Sequence, residues 1–138
     1  MTGKRLFAII AVLLLGPTYK AEVVYWQGFD IHYTTLNSML IPNEVALAHG
    51  IVRSKRRIIT NIAVRKGDRS VTAKLSGTAV NLLSQLSRME FSEVTEAGAI
   101  YYLSNQLVDE RDRLVFNIDI QPTDHADTFH LKFIRQYH

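Results

Sequence analysis

Four cations within five residues are the clearest candidates for binding chemistry in this chain. Arg53, Lys55, Arg56 and Arg57 form this basic cluster, with Ser54 as the fifth residue. Like charges at this spacing repel one another unless water, an acidic patch or a ligand anion screens them. The planar fork of arginine suits carboxylate and phosphate groups. The cluster therefore indicates either a solvated loop that pairs with the protein's own acidic residues, or a binding surface for an anionic component or an acidic protein.

The histidines provide one arrangement to consider as a metal site. The chain has five of them: His32, His49, His125, His130 and His138. Of these, His125 and His130 are close in sequence to Asp124 and Asp127. A metal ion needs three or four ligands that converge with demanding geometry. Because this group straddles a polar loop and the start of a strand pattern, we expect a solvated loop and predict no metal and no cofactor.

Nucleophilic catalysis has no recognisable motif in the sequence. A catalytic serine needs a base within hydrogen-bond reach and an oxyanion site, and the Gly-x-Ser-x-Gly elbow is missing. Ser54 is adjacent to Lys55, but adjacent side chains usually point apart. Asp109, Glu110 and Asp112 are interpreted as a solvated turn, because two arginines accompany them. The sequence therefore favours a non-enzymatic binding module. A hydrolase with an unrecognised site and a carrier of small apolar ligands remain the alternatives.

The first residues have the pattern of a cleavable export signal. Two cations, Lys4 and Arg5, precede an unbroken apolar run over Leu6–Leu15, which a Gly-Pro pair ends before a small residue follows. The apolar run is about ten residues long, whereas a membrane-spanning helix needs about 20. We therefore predict a signal peptide over residues 1–21, a periplasmic location without an anchor after cleavage, and one domain over residues 22–138.

Composition limits the kinds of partner that the exported domain can have. Without Lys4, Arg5 and Lys20, thirteen of the sixteen basic residues remain against thirteen acidic ones. A neutral domain has no general attraction to nucleic acid. The absence of cysteine excludes disulfides, a thiol nucleophile and zinc–thiolate sites. The expected partner is an envelope protein or an anionic envelope component, and the oligomeric state stays open.

Apolar and polar residues alternate with a period of two in short segments separated by turn residues, as in half-buried strands. Seven such segments begin at Phe29, Ile58, Val71, Met89, Ile100, Leu114 and Phe129. The pair Gly67-Asp68 between two of them indicates a hairpin turn. Strands without recurring helices predict two packed antiparallel sheets. The predicted fold is an all-β, seven-stranded, immunoglobulin-like antiparallel sandwich that lacks the cysteine pair of immunoglobulins, and a small barrel is the alternative.

One segment departs from the alternation and predicts a short helix near residues 42–49. Pro42 stands at its start, an acidic residue follows in the first turn, and His49 lies in the last turn. Gly50 comes directly after it and permits a left-handed backbone at the helix end. We therefore expect Ile51 to fold back onto the apolar side of the helix.

Seven motifs spread over the exported part of the chain carry a resemblance to a known family. They are Phe29–Tyr33, Ile41–Ala46, Gly50–Lys55, Asn61–Val64, Ser76–Leu82, Ile100–Tyr102 and Phe116–Pro122. The motif Gly-Ile-Val-Arg-Ser-Lys at Gly50–Lys55 is the most specific of them. In these motifs the chain resembles the bacterial domain of unknown function 4426 family, whose members are small exported proteins of Gram-negative bacteria. The resemblance implies export and a compact single domain, and it brings no catalytic residues. His49 departs from the pattern, which has a tyrosine before Gly-Ile.

Overall fold

A computed structural model of the protein describes residues 21–137. Apart from Ala21, the predicted signal peptide lies outside the described residues. Ten strands are present in the described range: β1 (Glu22–Trp26), β2 (Phe29–Asn37), β3 (Arg57–Lys66), β4 (Arg69–Ser70), β5 (Ala73–Val80), β6 (Leu86–Met89), β7 (Ser92–Glu96), β8 (Ala99–Leu107), β9 (Arg113–Pro122) and β10 (Phe129–Gln136). A 3-10 turn (Ser38–Leu40) and helix α1 (Asn43–Ala48) lie between β2 and β3. In this range no helix is both long and apolar enough to cross a membrane.

The strands form two antiparallel sheets packed face to face. The first sheet has the order β1-β2-β3-β8-β7, with β4 paired to the end of β3, and the second has the order β10-β9-β5-β6. One continuous apolar core contains side chains from both, among them Ile31 and Ile62 from the first sheet and Phe116 and Ile118 from the second. The predicted antiparallel β-sandwich with one short helix is therefore confirmed.

The sandwich has ten strands where the alternation predicts seven. β1 precedes the first predicted strand, and β4 is a separate two-residue strand. The predicted strand that starts at Met89 is divided, because β6 belongs to the four-stranded sheet and β7 to the six-stranded sheet. The chain crosses between the layers at Glu90–Phe91. A period-two pattern continues across such a crossing and does not show it.

Gly67 forms the predicted turn after β3, with a φ of +63° that glycine adopts without strain. The turn leads into β4, which pairs with the end of β3 through Arg69 and Ser70. Val71 then donates its N–H to the carbonyl oxygen of Val64 at 2.9 Å before β5 begins in the other sheet. The hairpin is therefore short, and the chain after it connects the two layers.

Strand β3 is buried on both of its faces. Ile58, Ile62 and Val64 point into the core between the sheets. Ile59 and Ala63 point to the opposite face, where buried residues of α1 cover them and form a second, smaller core. The helix thus covers the outer face of the sheet, and the strand carries little of the polar alternation expected for a half-exposed strand.

Helix α1 ends as the sequence predicts. Gly50 has a φ of +65°, and the N–H of Ile51 donates to the carbonyl oxygen of Ala46 at 2.8 Å. This bond reverses the chain at the helix end, as in other glycine-terminated helices. Ile51 then packs against the second core, which confirms the predicted fold-back.

Gly77 of β5 lies in close contact with the backbone of β9. A Cβ at this position would be 2.8 Å from the carbonyl oxygen of Asn117 and 3.1 Å from Cγ1 of Ile118. The oxygen belongs to the paired strand, and it cannot move away without disturbing the β5–β9 pairing. Close packing against β9 therefore explains the absent side chain at this position.

We predict that Gly77→Ala lowers the free energy of unfolding by about 1–3 kcal/mol through overpacking. The neighbouring exposed position is the matched control, and Ser76→Ala should change the stability by less than about 0.5 kcal/mol. Urea titration followed by circular dichroism measures both. A Gly77→Ala variant as stable as the wild type would show that the two strands have room for a methyl group.

Candidate anion-binding cleft

A cleft of about 480 Å³ opens between the sheets where β6 faces β8. Three arginines line it: Arg56 and Arg57 at the start of β3, and Arg88 on β6. Side-chain amides accompany them, those of Asn81, Gln85, Asn105 and Gln106, and the carboxylates of Asp109 and Asp112 line the cleft as well. Because β3 and β6 belong to different sheets, the cations approach the cleft from both layers.

The pairing of β3 with β8 places two residues of the basic cluster at the cleft. β3 begins at Arg57, which lies opposite Leu107 at the end of β8. Arg56 precedes it, and its carbonyl oxygen accepts the N–H of Val108 at 2.7 Å. Backbone hydrogen bonds therefore fix where both arginine side chains start.

The charge of Arg56 is compensated within the protein. Its guanidinium forms an ion pair with the carboxylate of Asp109, and both side chains are exposed. An exposed pair of this kind contributes little to stability. This contact is the pairing with the protein's own acidic residues that the sequence left as one interpretation of the basic cluster.

Arg57 and Arg88 have no acidic partner within residues 21–137. Nη1 of Arg57 donates to the neutral amide oxygen of Asn105, and its Nε is buried without a hydrogen-bond partner. Both side chains line the same cleft. Guanidinium groups bind anionic oxygens strongly and often through two parallel hydrogen bonds. The cleft therefore holds two guanidinium groups that form no ion pair within the described residues.

Arg53 and Lys55 lie outside the cleft, so the structure divides the basic cluster. Nη2 of Arg53 donates to the carbonyl oxygen of Met39 at 3.1 Å. The backbone carbonyl oxygen of Lys55 accepts from Nδ2 of Asn37 at 2.9 Å. Arg88 lines the cleft instead, and the sequence did not identify it as a candidate binding residue. No local pattern identifies this arginine, because only the packing of the sheets brings it near β3.

Asp112 lines the cleft and organises this end of the sandwich, and the interpretation of a solvated turn is wrong for this residue. Its carboxylate is buried and accepts backbone N–H bonds from Leu82 (3.0 Å), Asp109 (3.2 Å) and Arg113 (2.8 Å). Burial alone raises the pKa of the Asp112 carboxyl, but these three donors outweigh burial and lower the pKa below its usual value. The carboxylate therefore joins the β5–β6 turn to the β8–β9 turn.

Two buried tyrosines of the six-stranded sheet retain their hydroxyl protons. Tyr33 donates to Glu22 at 2.6 Å, and burial together with this bond raises the pKa of Tyr33 to about 12. Tyr102 donates to Glu93 at 2.7 Å, and burial together with that bond raises the pKa of Tyr102 to about 12. The Tyr102 hydroxyl also accepts the N–H of Ala73 at 2.8 Å and thereby links the two sheets. Both residues belong to the buried core between the sheets.

The structure separates the two histidines that were considered as metal ligands. Nε2 of His125 is 2.7 Å from the amide oxygen of Gln27, whereas His130 pairs with Asp119 on the neighbouring strand. Within residues 21–137 no three His, Asp or Glu side chains are grouped so that they could hold a metal ion.

Two antiparallel sheets and a polar cleft between them define a small β-sandwich protein with an interlayer site. Residues 25–138 match the family described as "Domain of unknown function (DUF4426)", and the chain belongs to this family. The predicted membership is therefore confirmed. A crystal structure of a DUF4426 family protein from Pseudomonas aeruginosa PAO1 is similar, with a TM-score of 0.75 and 30% sequence identity over 84% of this chain and 93% of that one. Among proteins with curated functions, none matches the sequence significantly.

Two structures of FetP from uropathogenic Escherichia coli strain F11 have a similar fold. A copper-bound variant has a TM-score of 0.60 and 12% identity over 86% of this chain and 95% of that chain. FetP as isolated after expression in the periplasm has a TM-score of 0.59 and 10% identity over 86% and 94%. Likeness at this identity shows the fold alone. The bound copper is therefore a property of that FetP variant alone.

Proposed function

We propose that this protein is a non-enzymatic binding module of the cell envelope that recognises an anionic group in the cleft between its sheets. The observation that carries the proposal is the pair Arg57 and Arg88, which line the cleft from different sheets and have no acidic partner in residues 21–137. Two cations at one opening repel each other, and an anion bound between them would be attracted to both and offset this repulsion. Phosphate and carboxylate groups fit the arginine fork.

The neutral groups of the cleft support binding rather than bond-breaking. Asn105 accepts a hydrogen bond from Arg57, which leaves its amide NH2 group free to donate to a bound oxygen. Ser87 also lines the cleft, but its hydroxyl donates to the backbone carbonyl oxygen of Ala79 at 3.3 Å and not to a side-chain base. A nucleophile without an adjacent base is not activated. Cations together with amide donors also favour an anion over an apolar ligand.

The proposed location is the periplasm, where the anionic partner would be an envelope component or an acidic protein. The support is the export pattern of residues 1–21. FetP, which shares the fold, has been isolated after periplasmic expression. Immunoblotting of periplasmic and cytoplasmic fractions tests the location, and a full-length, unprocessed protein in the cytoplasmic fraction would refute it.

Titration of the purified protein with inorganic phosphate at low ionic strength tests the anion site. We expect saturable binding by the wild type, followed by calorimetry or by amide chemical shifts. Arg57→Gln combined with Arg88→Gln should weaken binding at least about tenfold, since a hydrogen bond to a charged group is worth about 1.5–3 kcal/mol. Raising the salt concentration should weaken the wild-type binding as well.

The chain offers a matched control for the cleft variant. Arg53→Gln combined with Lys55→Gln removes the same charge from the adjoining loop, and it should bind phosphate like the wild type. Thermal melting of each variant establishes that it is folded. Equal loss of binding in both double variants would show that general surface charge and not the cleft is responsible. Absence of phosphate binding by the wild type would also refute the site.

A further inference from the structure

Apolar side chains are exposed to solvent beside the cleft. The turn between β5 and β6 carries Leu82 and Leu83, which are 59% and 74% exposed. Leu86 and Leu107 line the cleft and are 65% and 64% exposed. Leucines gathered at one place on a surface usually mark a region that another molecule or a membrane covers.

An ordered turn holds two of these leucines outward. The side-chain oxygen of Asn81 accepts the N–H groups of Leu83 at 3.0 Å and Gln85 at 2.8 Å. The N–H of Leu82 donates to the buried carboxylate of Asp112 at 3.0 Å. These bonds fix the backbone of the turn and do not involve the leucine side chains. The turn therefore presents its leucines in a defined geometry and not as part of a loose loop.

A second ordered loop extends the same surface. The hydroxyl of Ser38 donates to the carbonyl oxygen of Ser54 at 2.9 Å, and the N–H of Ser54 donates back to that hydroxyl at 2.8 Å. This pair joins the 3-10 turn to the segment before β3, and the joined loops expose Met39, Leu40 and Val52. Because β2 ends, β3 begins and β8 ends here, both apolar groups lie at one end of the sandwich.

Five cations lie near the exposed apolar side chains, together with the exposed acidic residues Asp109 and Glu110 of the β8–β9 turn. Arg53 and Lys55 belong to the joined loops, and three arginines line the cleft. Surfaces that rest on anionic bilayers combine apolar side chains, which enter the lipid interface, with Lys and Arg, which attract the headgroups. Protein–protein hot spots instead favour Trp, Tyr and Arg, and leucine is under-represented in them. The exposed apolar residues at this end are five leucines, one valine and one methionine, none of them aromatic, and this composition favours a lipid surface as the occupant.

We propose that this end of the sandwich docks on an anionic phospholipid surface. Leu82 and Leu83 enter the interface, and Arg57 and Arg88 bind the phosphate of a lipid headgroup. The inference rests on the proposed function, because it identifies the anion of the cleft as a lipid phosphate. In this docking the exposed leucines add an apolar contribution to the binding free energy, which binding of a free anion lacks.

Co-sedimentation with vesicles tests the docking. We expect the wild type to bind vesicles that contain phosphatidylglycerol mixed with phosphatidylcholine, and not vesicles of phosphatidylcholine alone. Leu82→Ser combined with Leu83→Ser should lower the vesicle affinity at least about tenfold, since each leucine loses apolar burial in the interface. The same variant should bind inorganic phosphate like the wild type. Tyr25→Ser changes another highly exposed side chain, on the strand that leads to the opposite end, and should bind vesicles normally.

The outcomes separate this inference from the proposed function. Binding of phosphate without binding of anionic vesicles would overturn the membrane docking and leave the anion site standing, as expected if a protein covers this end. Unchanged vesicle binding by the leucine variant would also overturn it. If the wild type binds neither phosphate nor anionic vesicles, the anion site and the docking are both refuted.

Discussion

Replacing Asp112 with alanine is expected to lower the free energy of unfolding by about 3 kcal/mol, because hydrogen bonds to a charged group are worth about 1.5–3 kcal/mol each and their buried donors lose their partner. The carboxylate holds the N–H groups of Leu82, Asp109 and Arg113, and its backbone carbonyl oxygen accepts the N–H of Tyr137 at 2.7 Å. Alanine removes only the first three of these bonds. Chemical denaturation measures the loss. Glu110→Ala, an exposed carboxylate two residues away, is the control and should change stability by less than about 0.5 kcal/mol.

The pH dependence provides an independent check on Asp112. Its pKa is lower in the folded protein than the usual value of about 3.9 for an unfolded chain. The stability that the charge contributes is therefore complete above pH 4 and is lost as the pH falls through the lower folded value. We expect the difference in stability between wild type and Asp112→Asn to be constant near neutral pH and to shrink below about pH 4. A difference that persists unchanged into strong acid would show that the charge is not what the three donors recognise.

Replacing Phe116 with alanine is expected to lower the free energy of unfolding by about 3–5 kcal/mol, the usual cost of deleting a fully buried phenylalanine. Phe116 is completely buried and stacks on Phe133, with ring centroids 4.7 Å apart and an angle of 16° between the rings. Phe133 in turn contacts Tyr33 of the other sheet at 4.9 Å. The three rings therefore connect the layers, and alanine leaves a cavity that the two sheets cannot easily close.

The size of this effect is large compared with the total stability of a small domain, which is about 5–15 kcal/mol. Thermal melting and guanidinium titration should both show the loss. Val115→Ala is the matched control on the same strand. Val115 is only half-buried and lies outside the core that holds its neighbour, so its loss should cost less than about 1 kcal/mol. A Phe116→Ala variant with near wild-type stability would mean that the core repacks around the missing ring.

The elements of this fold were predictable where the signal is local. Phe116, Ile118 and Ile120 alternate with polar residues, and all three are buried in β9. Gly50 ends α1 because it can adopt a positive φ, which a side chain would oppose. In both cases the preference follows from a few neighbouring residues, so the sequence alone carries the information.

The candidate site was only partly predictable, because it depends on contacts between distant segments. The basic cluster drew attention to Arg56 and Arg57, which line the cleft, but also to Arg53 and Lys55, which do not. Charge density along the chain indicates where cations are concentrated. It does not indicate which of them a neighbouring carboxylate, such as that of Asp109, compensates.

By itself the sequence determined the family, the β-rich two-layer architecture and the short helix, since alternation, turn glycines and helix ends are properties of adjacent residues. Only the tertiary structure decided that Arg88 joins Arg57 at one cleft, that Asp112 is buried, and that Leu82 and Leu83 are held exposed. Each of these facts depends on which strand faces which across the sandwich. That arrangement arises from the packing of two sheets, and a pattern of neighbours along one chain does not contain it.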